Sequence, residues 1–119
     1  MARILMVEDN DPVAEVFATA LTMAGHDVDH SLTPQGAAHR IVRNQYDLVL
    51  MDLGLPGYDG DELAAGMRDL GYTGPILVLT GGVLPMETAF TDRARFAEIL
   101  RKPIMPDELV AAVGRTLAM

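Results

Sequence analysis

Residues 47–52 read Asp47-Leu48-Val49-Leu50-Met51-Asp52, four apolar residues in a row between two carboxylates. A run this short, with no polar residue alternating in it, suits a parallel strand covered on both faces. Two more runs have this form and a third, shorter one ends on Arg101; each leads to reactive polar groups. Ile4-Leu5-Met6-Val7 leads to Glu8 and Asp9, Ile76-Leu77-Val78-Leu79 to Thr80, and Ile99-Leu100-Arg101 to Lys102. Asp27-Val28-Asp29-His30 is short and polar, as an edge strand can be. Five strands are therefore expected, over Arg3 to Val7, Asp27 to His30, Asp47 to Met51, Ile76 to Leu79 and Ala97 to Arg101.

The segments between the runs have helical periodicity, which makes the chain a series of βα units around a doubly wound parallel sheet. Asp11-Pro12 offers a capping carboxylate followed by a proline at the first helical position, and Gly25 a stop. Thr33-Pro34 repeats that start for a helix to about Asn44. A third helix, about Gly60 to Leu70, is interrupted by Gly66, and Asp59 helps to cap it or to shape the turn before it. A fourth is expected over about Leu84 to Arg95. The last begins at Pro106, carries Asp107 and Glu108 in its positive first turn, and repeats Leu109, Val113 and Leu117 along one face.

The 119 residues, half of them hydrophobic, fit one domain over 1–119 that buries roughly two-thirds of its unfolded surface. The absence of cysteine excludes a disulfide framework, a thiolate metal site and a cysteine nucleophile. A net charge of -8 with only nine scattered Lys and Arg argues against direct nucleic-acid binding. With no signal peptide and no apolar stretch of spanning length, a soluble cytoplasmic protein without membrane association is expected.

Right-handed crossovers put every strand's carboxyl end on one edge of an open sheet, so the strand-end polar groups share a crevice. Carboxylates gathered there repel one another unless a cation lies between them. A hard, oxygen-preferring ion such as Mg²⁺ (or Mn²⁺) suits Asp9 and Asp52, with Glu8 acting through a water. Lys102 supplies a compact positive charge for a phosphoryl oxygen, held in place by Pro103, and Thr80 supplies a hydroxyl. Asp52 is the best nucleophile, and its attack on phosphorus forms an acyl phosphate. His26, His30 and His39 show no ligand spacing and are expected on the surface.

In these features the whole chain resembles the receiver domain of two-component response regulators. The residues that carry the resemblance are Ile4 to Asp9, the stretch Asp52-Leu53-Gly54-Leu55-Pro56-Gly57-Tyr58-Asp59-Gly60, Thr80, and Lys102-Pro103 followed by Asp107-Glu108-Leu109. The resemblance implies a flavodoxin-like three-layer sandwich with five helices and strand order 2-1-3-4-5. Asp52 would accept a phosphoryl group from a phosphohistidine on a sensor histidine kinase or a histidine phosphotransfer protein. Mg²⁺ would be bound by Asp9, Asp52 and the backbone carbonyl of Gly54, with Glu8 assisting through water. Lys102 would pair with Asp52 and then with the phosphoryl group, which Thr80 would contact to drive the switch. The signalling surface would be the fourth helix, the fifth strand and the fifth helix.

Three departures bear on switching. Ile99 stands where receivers place an aromatic three residues before the lysine, Ile104 where Phe often follows Lys-Pro, and Gly81-Gly82 follows the threonine. Switching would then rest on backbone movement in the Thr80 loop and on aliphatic repacking. Thr80-Gly81 with no strand-five aromatic is similar to a single-domain subgroup of alphaproteobacterial stress signalling. Gly54 and Gly82 stand where the family tunes phosphoryl lifetime, and neither has a side chain to shield the group. The output target is not written in the chain: a stand-alone receiver, a phosphate sink, and a fragment of a larger hybrid kinase or regulator all fit. An Asp-nucleophile phosphatase like the haloacid dehalogenases is the rival from another class, disfavoured because Gly54 sits where the general acid belongs. A dinucleotide-binding module is disfavoured because no Gly-rich loop follows the first strand.

Overall fold

The computed structural model describes residues 2–52, 60–80 and 96–118. Five parallel strands, β1 (Arg3–Val7), β2 (Asp27–Ser31), β3 (Leu48–Asp52), β4 (Ile76–Thr80) and β5 (Glu98–Arg101), form one sheet in the order β2-β1-β3-β4-β5. The described helices are α1 (Asp11–Met23), α2 (Pro34–Arg43), α3 (Gly60–Asp69) and α4 (Pro106–Leu117). The helix expected over about 84–95 lies outside the described residues.

Strand residues alternate between two cores, which explains why the central runs are apolar throughout. Leu5, Val7, Val49, Met51, Ile76 and Val78 face one way, toward Ala37 and Ile41 of α2 and Ala64 and Met67 of α3. Ile4, Met6, Leu48, Leu50, Leu77 and Leu79 face the other way, toward Ala14, Phe17 and Leu21 of α1 and Leu109 and Val113 of α4. Each fully buried Leu or Ile contributes roughly 2 kcal/mol of transfer free energy. A polar residue inside β1, β3 or β4 would lose that on whichever face it pointed.

The edge strand β2 is half-buried along most of its length and is tied down by side chains. The Tyr46 hydroxyl donates to Asp29 Oδ2 at 2.6 Å, Arg3 Nη2 lies 3.2 Å from the same oxygen, and the Arg3 guanidinium stacks 5.3 Å from the Tyr46 ring centre. The hydroxyl is the main cause that holds the Asp29 carboxyl below its ordinary value, against a smaller upward push from burial.

Boundaries differ from expectation in physically readable ways. β2, β3 and β4 each run one residue further, through Ser31, Asp52 and Thr80, so the two site residues on β3 and β4 are the last rungs of their strands rather than loop residues. Asn10, not Asp11, caps α1: its side-chain oxygen accepts from the Val13 amide at 3.2 Å, which leaves Asp11 free to sit in the positive first turn. Thr33 caps α2 as expected, accepting from the Gly36 amide at 3.1 Å. Gly66 does not interrupt α3, which runs through it unbroken. Gly25, at φ 99°, takes the left-handed conformation that ends α1. No described helix is long and apolar enough to cross a membrane.

Candidate functional site

The carboxyl ends of β1, β3, β4 and β5 meet at one edge of the sheet. Asp52 closes β3 and Thr80 closes β4, both buried, and Lys102 follows β5 directly. Glu8 and Asp9 follow β1, with Glu8 only 2 % exposed and Asp9 at the surface. One carboxylate oxygen from each of Glu8, Asp9 and Asp52 lies within 4.8 Å of the others. Lys102 Nζ donates to Asp52 Oδ2 at 2.8 Å and reaches Glu8 Oε2 at 3.5 Å.

Three carboxylates and one ammonium leave an excess of negative charge in a partly desolvated pocket, and the ionisation of the group shows it. Burial is the largest cause pushing the Glu8 carboxyl up to about 7, and a hydrogen bond to the Asp52 carboxyl adds to it. A bond between two carboxyls needs a proton on one of them, and Glu8 is the one whose environment favours it. Burial alone would push the Lys102 ammonium down, but the hydrogen bond and charge of Asp52, with Glu8 behind, outweigh it and raise Lys102. All the donors are hard oxygens, so the trio suits a small divalent cation that replaces the shared proton as counter-charge.

The main chain holds these groups in register. The Glu8 amide donates to the Ser31 carbonyl at 3.1 Å, the Asn10 amide to Glu8 Oε1 at 3.1 Å, and the Lys102 amide to the Thr80 carbonyl at 2.7 Å. The Lys102–Pro103 peptide is cis. Ile99 is half-buried against the core that includes Val78, its neighbour across the β4–β5 ladder, and Ile104 packs against the opposite core.

The structure brings Glu8, Asp9, Asp52 and Lys102 together at the strand ends, and Thr80 ends β4 with its main-chain carbonyl bonded to the Lys102 amide. Gly54 and Gly81, named for the cation and the switch, lie outside the described residues. Two histidines are not the bland surface groups expected. His26 Nδ1 accepts from the Ala2 amide at 3.2 Å, and His30 Nε2 lies 2.7 Å from the Glu8 carbonyl oxygen. The partners of both are main-chain groups, which spacing along the chain does not reveal.

Comparison with known proteins points the same way. The model of the response regulator receiver domain matches residues 4–114. The transcriptional regulatory protein TcrA of Mycobacterium tuberculosis is 37% identical over 114 residues, covering 92% of this chain and 43% of the relative. The response regulator receiver protein CpdR of Brucella abortus is 30% identical over 117 residues, covering 98% of both. A receiver domain protein from Methanospirillum hungatei superposes with a TM-score of 0.90 at 24% identity, covering 99% of this chain and 94% of that one. The chain spans about half the length of several curated relatives it matches and nearly all of CpdR.

Proposed function

Because the chain belongs to the response regulator receiver domain family of two-component signalling, we propose that Asp52 is its phosphoacceptor. The observation that carries this is the Lys102 ammonium 2.8 Å from Asp52 Oδ2 at the end of β3, beside Glu8 and Asp9. An Asp52 oxygen attacks the phosphorus of a phosphohistidine, the P–N bond breaks, and its electron pair returns to the imidazole, which takes up a proton. The product is an acyl phosphate, which water later cleaves to Asp52 and inorganic phosphate. Lys102 moves its charge from Asp52 to a phosphoryl oxygen, and the Thr80 hydroxyl donates to another.

Asp9, Asp52 and the Gly54 carbonyl would hold Mg²⁺ (or Mn²⁺), with Glu8 reached through a water. When bound, the cation neutralises the phosphoryl oxygens and the carboxylates together. Phosphoryl transfer and self-dephosphorylation are the only chemistry proposed, and no other enzymatic activity is assigned.

The donor is a sensor histidine kinase or a histidine phosphotransfer protein in the cytoplasm, and the output is altered binding of a downstream protein. Close coverage of CpdR, named a receiver protein, favours a single-domain receiver or a phosphate sink. The half-length match to transcriptional regulatory proteins favours the receiver portion of a larger regulator. Incubation with Mg²⁺ and a small-molecule phosphodonor, read by intact mass, tests the proposal. One phosphoryl group is expected on the wild type and none on Asp52→Asn or with a chelator. Equal labelling of Asp52→Asn would overturn the assignment.

A further inference from the structure

A short polar contact beside the site is made by His30, which is not one of the acid trio or its lysine. In a parallel ladder, carbonyls of one strand accept amides of the next at steps of two residues. The Ala2 carbonyl accepts the Asp27 amide at 2.8 Å, so counting on by twos brings the Glu8 carbonyl opposite residue 33. The rung to residue 33 falls beyond the strand, because β2 ends at Ser31 and Thr33 has turned away to cap α2. His30, paired with Met6 one step earlier, lays its ring across the gap, and its Nε2 sits 2.7 Å from the Glu8 carbonyl oxygen. A carbonyl can only accept, so the proton is on Nε2 and the ring donates.

That carbonyl belongs to the peptide joining Glu8 to Asp9. Its plane sets the direction in which the Asp9 side chain leaves the main chain. The residues on either side are already held, by the Glu8 amide on Ser31 and the Asn10 amide on Glu8 Oε1. The His30 bond fixes the one remaining peptide orientation between them.

Resting on the reading of Glu8, Asp9 and Asp52 as the cation site, we propose that His30 is a positioning residue for that site: by replacing the missing rung between β1 and β2 it orients the Glu8–Asp9 peptide and so aims the Asp9 carboxylate. The bond would act on cation affinity through geometry rather than by touching the ion. Outer hydrogen bonds of this kind are worth roughly tenfold or more in metal affinity.

The test compares wild type, His30→Phe, which keeps a ring and loses the donor, and His30→Gln, which keeps a donor of similar reach. Mg²⁺ dissociation constants are measured by calorimetry, the Glu8 carbonyl ¹³C and Asp9 amide shifts by NMR without metal, and stability by urea. His30→Phe should weaken Mg²⁺ roughly tenfold and move both shifts, and His30→Gln should restore most of the affinity and the shifts. Equal affinity and unmoved shifts in all three proteins would overturn the role of His30 alone. So would loss of stability in His30→Phe with no change in affinity, or a His30→Gln protein as weak as His30→Phe. Wild-type protein that binds no Mg²⁺ would instead overturn the reading of the acid trio, and the aim assigned to His30 with it.

Discussion

Glu8 carries a carboxyl that is buried beside two others, Asp9 and Asp52. Its carboxyl stays protonated in the metal-free folded protein up to about 7, whereas in the unfolded chain it ionises near 4.5. Between those values the folded state binds more protons, so the contribution of Glu8 to stability is present below about 4.5 and lost as pH rises toward 7. With a chelator present, the urea midpoint should therefore fall across that window, and Glu8→Gln, which cannot ionise, should flatten the fall. A wild-type midpoint that rises across the same window would contradict the assignment. The same scale explains what the sequence left unread. Asn10 and Asp11 are adjacent and both are good caps, and Pro12 suits either start, so local propensity could not choose between them. His30 was invisible for a different reason, since its partner is a main-chain carbonyl whose position depends on where β2 stops.

At the scale of elements, α3 and β2 can be tested separately. A methyl group added at Gly66 would meet nothing within 4 Å beyond its chain neighbours and the backbone of its own helix, and the helix is continuous there. Gly66→Ala should stabilise the protein by roughly 0.5–1 kcal/mol in urea unfolding, through helix propensity and a less free unfolded chain. Gly36, also helical, gives the opposite result: its added Cβ would lie 2.6 Å from Ser31 Oγ, so Gly36→Ala should be destabilising. On the edge strand, Tyr46→Phe removes the hydroxyl that bonds Asp29 and should cost about 1 kcal/mol at neutral pH. Asp29 is held below its ordinary 3.8, so this stabilisation exists above that pH and is lost as pH falls through the lowered value. The gap between wild type and Tyr46→Phe should narrow in acid, and a constant gap would mean that the bond is not to a carboxylate. The strands themselves were legible because burial on two faces leaves no room for alternation. Their ends lie one residue past the apolar runs because Asp52 and Thr80 are polar yet still paired.

Across the whole molecule, the excess negative charge and the acid trio predict that cation binding and folding are linked. A ligand that binds only the folded state stabilises it by about 2.7 kcal/mol at a hundred times its dissociation constant. Saturating Mg²⁺ should raise the urea midpoint of the wild type, and Asp9→Asn should lose that gain while being more stable than wild type in a chelator, because it relieves repulsion among Glu8, Asp9 and Asp52. A chelated Asp9→Asn protein less stable than wild type would show that the carboxylates do not repel in the absence of a cation. The doubly wound sheet and most of this crevice could be read from four apolar runs, since parallel topology alone decides that their far ends meet. How the state of the crevice reaches a partner could not, because Ile99 and Ile104 sit in opposite cores and neither carries a ring.

One short bond offers a way to watch that happen. The Lys102 amide donates to the Thr80 carbonyl at 2.7 Å, so the two residues that would grip a phosphoryl group from different strands are also spliced through their main chains. A deuteron on that single amide is therefore a clock for the splice. If its exchange slows when the phosphoryl group arrives, the lysine and the threonine have been drawn together as one body. If it quickens, the grip has been won by letting the strands part.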